Sequence, residues 1–388
     1  MANIGLSINQ ISTVLNSLLT QAQLGNAAVV DTGSFISVAQ TALSTAPDVM
    51  LESIGQMFSS RSIVSIRPYE RKFKNLERSE VEWGNAVRKL NYIDIPMENN
   101  QEYLAEDGGT VDMYKVRAPK ILQTNFYGQN TFQQAYTLYD HQLNIAFATP
   151  DDFSRFVGGY LQNKADQREQ AHEATARATL VNLIAGVIAS GSTGYIKVLS
   201  LYNAQNGTSL TATDIMKSEN LPDFLRFFVA TIKIYMKLMS ERSQMFQVNV
   251  TGKAITRHTP ASRARMYLYT PFMEMAKTQV LADVFNEGYI TLDNFEEVNF
   301  WQSIADTDTI NVTAGYMDAD GVFTSKAVNN TKVLGVIFDE QAAGYTFIHQ
   351  GGGSTPYNPA GGYTNVFVNF NDRYFNDFTE KAIVFTLE

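Results

Sequence analysis

The chain has 388 residues, of which 45% are apolar, 12% aromatic and only 18% charged, and its formal net charge is −9. That length favours two or more lobes over one small core, and a charge content below the usual ~25% fits surfaces that other protein covers. The acidic balance excludes a domain built to grip DNA phosphates tightly, and the absence of cysteine excludes disulfides, thiolate zinc sites and thiol nucleophiles.

Residues 1–60 carry charge only at Asp31, Asp48 and Glu52. Ser7 and Gln10 have capping-box spacing ahead of Ile11, Val14, Leu15 and Leu18 at helical intervals. A second helical pattern runs from Phe35 through Val38 and Leu43, breaks near Pro47 and resumes at Ile54 and Met57. This is a helical arm, either an ordinary subdomain or a segment docking on neighbours. The first basic residue of the chain is Arg61, so the start lacks the charged region of a signal peptide. No apolar run approaches the length of a membrane span.

Residues 61–125 read as an extended loop, with strand-type residues at Ile63–Pro68, Val81–Leu90 and Met113–Val116. Its charges are sorted. Arg61 to Lys89 holds eight basic residues, Arg71, Lys72 and Lys74 among them, against four acidic ones. Asp94 to Asp112 holds six acidic residues, including Glu102, Glu106, Asp107 and Asp112, and no basic one. Asp107-Gly108-Gly109 signals a turn. A long hairpin with a basic base and an acidic tip accounts for this, and reaching another subunit would give the sorting a purpose. A surface hairpin with solvated charges accounts for it equally well.

The region 126–194 contains the clearest helix, predicted over 152–189. Pro150-Asp151-Asp152 supplies a start with acidic groups at the positive end of the helix dipole. Phe153, Phe156, Val157, Tyr160 and Leu161 repeat at helical spacing, as do Leu180, Leu183, Ile184, Val187 and Ile188. Between them, residues 164–177 form a polar middle with Asp166, Arg168, Glu169, His172 and Glu173, expected to be solvated. Gly191 stops the helix. It reads as a spine tying two packed regions together.

From 195 to 350 helices and strands alternate in an α/β lobe. Leu225, Phe228, Val229, Ile232, Met236 and Met239 mark an amphipathic helix with Pro222 in its first turn. Strands are predicted at Phe246–Thr251, Phe295–Trp301 and Lys332–Phe338, and Thr259-Pro260 and Thr270-Pro271 each open a short helix. Lys217 to Lys277 is basic, ten residues to four, and includes Arg257, Arg263 and Arg265. Phe285 to Glu388 reverses the balance, four to fourteen, so contact with an acidic protein surface is favoured over DNA. Residues 351–388 open with a Gly/Pro linker, Gly351–Gly362. Alternation at Val366, Val368 and Phe370 then makes one strand, and Ala382–Leu387, apolar on both faces, makes a second, buried one.

Catalytic and cofactor motifs are missing. There is no phosphate-binding Gly-rich Lys-Ser/Thr loop, no dinucleotide Gly-x-Gly-x-x-Gly and no Gly-x-Ser-x-Gly elbow. His141, His172, His258 and His349 are far apart, and His172-Glu173 lacks the second histidine of a zinc protease. Asp306, Asp308, Asp318 and Asp320 lack calcium-loop spacing, and Asp320-Gly321 reads as a hairpin turn. No catalytic residue, cofactor or metal is therefore expected.

The order of elements resembles the Hong Kong 97-type shell fold of tailed-bacteriophage capsid subunits, an α+β fold. By layout the resemblance covers residues 61–388. By residue pattern it lies in two stretches: Thr137-Leu-Tyr-Asp-His-Gln-Leu-Asn-Ile-Ala-Phe through Asp151-Asp152-Phe153 and Phe156-Val157, and Tyr363-Thr-Asn-Val-Phe-Val-Asn-Phe through Arg373-Tyr-Phe-Asn-Asp-Phe to Ala382-Ile-Val-Phe. Both are similar to head proteins of small short-tailed phages (podovirus type) infecting Gram-positive bacteria. The resemblance implies a major capsid protein of the virion, without enzymatic activity, assembled in the host bacterial cytoplasm. It implies pentamers and hexamers in an icosahedral head around double-stranded DNA, with a scaffolding protein and a portal protein as partners. It divides the chain into an N-terminal arm (1–60), an extended loop (61–125), a peripheral domain (126–194), an axial domain (195–350) and a return to the peripheral domain (351–388). Arg71, Lys72, Lys74, Glu102, Glu106, Asp107, Asp112, Arg257, Arg263 and Arg265 become the candidates for contact between subunits. An encapsulin-like nanocompartment shell, or a cytosolic enzyme without a recognisable motif, remains an alternative.

Overall fold

The computed structural model describes residues 69–78, 87–100, 103, 106–107, 109–114, 116–142, 150–251, 253–275, 295–330 and 332–388, together with Asn16, Asp48 and Leu51. The helical patterns of the arm and the strand-type runs at 63–68 and 81–86 lie outside these residues. The chain divides into two compact units. One comprises 1–74, 129–175 and 346–373, the other 75–128, 176–345 and 374–388.

The first unit contains β3 (Gly128–Tyr139) from Gln129 onward, and most of β10 (Ala343–Ser354) and β11 (Tyr363–Asn376). These three strands form one sheet in the order β10-β11-β3. Along β11, Val366, Val368 and Phe370 are buried at every second position, as their alternation requires. The glycines 351–353, read as linker, lie instead within β10. Strand pairing at a position flanking the central β11 tolerates residues that contribute no side chain.

The same unit holds the first part of α1 (Pro150–Ser190). The helix is unbroken over 41 residues, about 60 Å at 1.5 Å per residue. Its polar middle is solvated on one side only: Gln167 and Gln170 are exposed, whereas Lys164, Glu169 and His172 are buried. The extended segment 69–73 accounts for part of that. The Tyr69 and Lys72 backbone N–H groups donate to Asp166 and Glu173, and Arg71 reaches both Glu169 and His172. Polar residues read as a water-facing stretch are thus partly matched to another segment of the same chain.

In the second unit five strands form a mixed sheet in the order β4-β12-β9-β5-β6, comprising β4 (Tyr195–Lys197), β12 (Ala382–Thr386), β9 (Val333–Asp339), β5 (Ala264–Tyr269) and β6 (Phe295–Val298). β12 runs parallel to β4 and antiparallel to β9, so the last strand of the chain is central and every residue in it is buried. The helices α2 (Val198–Asn206), α3 (Ala212–Ile215) and α4 (Leu221–Ser240) accompany this sheet. Phe224, Phe228 and Ile232 of α4 form one core with Met266, Leu268, Ile337 and Phe385 from the strands. Gly335 lets β9 approach β5, since a Cβ there would lie 2.5 Å from Leu268 Cδ2.

β7 (Ile310–Met317) and β8 (Phe323–Asn330) form an antiparallel hairpin, and its turn is at Asp320-Gly321 as the sequence predicts. Gly321 takes φ +78°, which only glycine adopts without strain. Two expectations fail in this unit. Residues 246–251 form no strand: Phe246 has φ +67° and sits in a turn, its N–H held by Thr193 and its carbonyl by Ala382 N–H. Thr259-Pro260 opens a single turn rather than a helix, because Ala264 already begins β5. Thr270-Pro271 does open a helix, described as far as Met275.

Candidate functional site

β1 (Val87–Tyr92) and β2 (Ile121–Phe126) pair antiparallel in register from Val87↔Phe126 to Tyr92↔Ile121. This is the hairpin of the sequence reading, with residues 93–120 as its connection. Its base is fixed by charge at low exposure. Lys89 Nζ lies 2.5 Å from Asp377 and 2.6 Å from Glu380, and those two carboxylates are 1% and 4% exposed. Arg257 Nε adds a contact to Glu380 at 3.2 Å, and the buried Asn91 accepts from the Arg257 guanidinium. Burial works against ionisation of Asp94. Hydrogen bonds from the Thr256 hydroxyl and N–H and the charge of Arg242 outweigh it, holding its carboxyl below the usual range.

Beyond this base the connection offers a different surface. Met97, Tyr103, Val111, Met113, Tyr114 and Val116 are all exposed, Met113 at 80% and Tyr114 at 83%. Residues 113–114 lie in a turn rather than the expected strand, and Asp112 accepts from the Tyr114 N–H at 2.9 Å. A second turn closes at Glu106, whose carbonyl accepts from Gly109 N–H. Glu106, Asp107 and Asp112 are exposed on the same connection, while Glu102 lies outside the described residues. A run of large apolar side chains in water is costly for a lone chain and marks a surface that another surface covers.

The basic candidates divide into three groups. Arg71 is consumed within its own unit, 2.6 Å from Glu169 and 2.9 Å from His172 Nδ1. Burial, with the charges of Arg71 and Arg168, pushes His172 down to about 3, so it is a neutral acceptor here. Lys72 is half-buried beside Glu173, and Lys74 is exposed at the start of a one-turn helix. Arg257, Arg263 and Arg265 each meet carboxylates of their own unit, Arg263 on Asp339 at 2.9 Å and Arg265 on Glu340 at 3.0 Å. The acidic counterpart the sequence pointed to is thus met within one copy.

Sequence reading missed a cavity of about 490 Å³ in the first unit, lined among others by Gln134 and Tyr136 of β3 and Phe156, Gly159, Tyr160 and Lys164 of α1. Only the spacing of Phe156, Tyr160 and Lys164 on one helix face could have signalled it. Among the described residues no group of three or more His, Asp or Glu is placed to hold a metal ion. No described helix is long and apolar enough to cross a membrane.

A long unbroken helix, a two-stranded hairpin with a long connection and a mixed sheet that includes the terminal strand define a shell subunit of the Hong Kong 97 type. Solved structures agree on the fold. The chain superposes on one from the capsid of Staphylococcus phage Andhra with a TM-score of 0.52 at 16% identity, over 85% of this chain and 87% of that one. It superposes on one from the structure of the head fiber and inner core protein gp22 of bacteriophage P68 with a TM-score of 0.56 at 12% identity, over 85% and 88%. Residues 60–386 match the model of the Phi29-like phage major capsid protein family, and the chain belongs to that family. It is therefore a structural protein of the phage virion, many copies of which build an icosahedral capsid, and neither the nanocompartment nor the enzyme reading is supported. No curated protein matches the chain.

Proposed function

We propose that this capsid protein assembles through its β1–β2 hairpin, which extends from one copy to the next as pentamers and hexamers close into a head around double-stranded DNA. The observation that carries this is the contrast within the hairpin, a base locked by Lys89 against buried carboxylates and a connection lined with exposed apolar and acidic side chains. In this reading residues 126–194 and 351–388 serve as the peripheral domain, 195–350 as the axial domain and 1–60 as an arm. A scaffolding protein directs closure in the host bacterial cytoplasm and a portal protein occupies one vertex. The host is a Gram-positive bacterium and the virion short-tailed. The subunit works without catalysis. Weak contacts repeated by symmetry sum to a stable shell, and the net charge of −9 keeps the wall from adhering to packaged DNA. Lys72 and Lys74 remain basic candidates for contact between copies, as do the outward edges of Arg257, Arg263 and Arg265.

The test replaces Glu102, Glu106, Asp107 and Asp112 together by their amides. Assembly is expected to lose its salt dependence and to fall at low ionic strength. Assembly identical to the parent at both low and high salt would remove charge matching from this account.

A further inference from the structure

The cavity beside α1 has walls of three chemical kinds. Tyr136, Phe156 and Tyr160 supply rings, their centroids 5.7 Å apart for Tyr136 and Tyr160 and 4.9 Å for Phe156 and Tyr160. These tilted pairs leave faces and edges for a further flat ring. Gln134 and Asn163 supply carboxamides. The Gln134 Oε1 is buried and accepts no hydrogen bond from the described residues, so an occupant that donates there removes the cost of a bare buried acceptor. Lys164, 9% exposed, supplies positive charge. Among the described lining residues none is acidic. At about 490 Å³ the space is that of a small-molecule site, and its whole lining belongs to one unit of one copy.

The order of these groups narrows the occupant. Phe156, Tyr160 and Lys164 stand four residues apart on one face of α1, so each step along the wall is about 6 Å. The rings lie at one end and the charge one turn beyond them, a separation that a single pentose bridges between a base and a 5′-phosphate. A purely apolar ligand would cover the Lys164 amine and the two amides without a polar group to face them. A sugar phosphate or a free anion would leave the rings uncovered. A nucleobase stacks on aromatic side chains, and the exocyclic amine of adenine donates to a carboxamide oxygen. Burial and the neighbouring charge of Arg168 push the Lys164 amine down to about 8. It stays mostly charged at neutral pH, and an anion beside it offsets its lost hydration. We infer that the cavity formed by Tyr136, Phe156, Tyr160, Gln134, Asn163 and Lys164 binds a nucleoside 5′-phosphate. The base enters among the rings with its exocyclic amine on Gln134, and the phosphate faces Lys164. The site is complete within one copy and independent of how copies meet.

Isothermal titration of the full-length chain with dAMP, deoxyadenosine and 2-deoxyribose 5-phosphate tests this. One dAMP is expected to bind per chain. Deoxyadenosine should bind about tenfold more weakly, lacking the charge that faces Lys164, and the sugar phosphate at least as weakly, lacking the stacking ring. Tyr160→Ala and Lys164→Met should each weaken dAMP about tenfold or more. An 8-azido analogue of dAMP is expected to photolabel peptides that contain residues 134–136 or 156–164. Gly159→Phe spares the walls and blocks the space. Gly159 lines the cavity, a Cβ there has nothing within 4 Å, and replacing a helical glycine does not weaken the helix. That variant should keep the parent's Tm and lose dAMP binding. Unchanged dAMP affinity in a folded Gly159→Phe chain, or no binding of dAMP at millimolar concentration, would overturn the assignment. So would equal affinity for dAMP and either truncated probe, which would reduce the site to one for rings alone or anions alone. None of these outcomes bears on the shell reading, which stands or falls on particle formation.

Discussion

Replacing Lys89 by methionine tests whether buried charge, rather than the strand ladder alone, fixes the hairpin. Methionine keeps the length of the side chain and removes the amine that Asp377 and Glu380 share at 2.5 and 2.6 Å. Removing one partner of a buried ion pair costs ~3–5 kcal/mol, because the remaining charge keeps its desolvation penalty. The lower end applies here. Asp377 retains hydrogen bonds from the Thr379 N–H at 2.9 Å and hydroxyl at 2.7 Å, and Glu380 retains Arg257 at 3.2 Å. A loss of about 3 kcal/mol in a unit of this size corresponds to a drop of ~6–12 °C in Tm. Calorimetry on unassembled chain measures it, with Lys89→Arg as the control that keeps the charge and most of the stability. A Tm for Lys89→Met within a degree of the parent, or above it, would show that the desolvation of the three charges cancels their attraction and that the hairpin is held by other means.

Gly335→Ala places a methyl against Leu268 in the centre of the five-stranded sheet, and a loss of ~1–3 kcal/mol from overpacking is expected in denaturant titrations. Arg71→Ala removes the partner of the buried Glu169, and although Arg168 remains at 3.1 Å, a loss of ~2 kcal/mol is expected by the same titration. Asp372 is fully buried beside Thr175, and burial raises its carboxyl to about 6 despite the opposing Thr175 hydrogen bond and Arg71 charge. A folded value above the unfolded one disfavours the ionised fold, so stability falls as pH rises through 6. Asp372→Asn should match the parent in Tm near pH 4 and exceed it at pH 8. Asp94 has the opposite sign: its lowered value means that its stabilisation is present above 3.8 and fades as pH falls below it. Asp94→Asn should therefore lower the Tm at neutral pH and converge on the parent at low pH.

How much of this was legible in the sequence depends on how local its cause was. α1 announced itself through two apolar repeats and an acidic start, and runs Pro150–Ser190. The Asp320-Gly321 turn and the buried last strand were legible for the same reason, since turn chemistry and unbroken apolar runs are short-range signals. Phe246–Thr251 carries strand-type residues yet forms a turn. Its backbone hydrogen bonds go to Thr193, Phe378 and Ala382, partners that no window of sequence contains. The polar middle of α1 misled in a similar way, because Lys164, Glu169 and His172 are covered by parts of the chain distant in sequence. Charge sorting in the hairpin was visible, but not that Lys89 would face Asp377 and Glu380 from nearly 300 positions away. The cavity at Tyr136, Phe156 and Tyr160 was invisible because it is a space between a strand and a helix, defined by neither alone.

The central claim, that this chain is a shell subunit working by self-assembly, is tested most directly by negative-stain electron microscopy of the purified protein, produced in bacteria with and without a candidate scaffolding protein. The account predicts closed spherical shells, or sheets and tubes built of pentamers and hexamers. A well-behaved monomer or dimer under every condition, scaffold included, would contradict it.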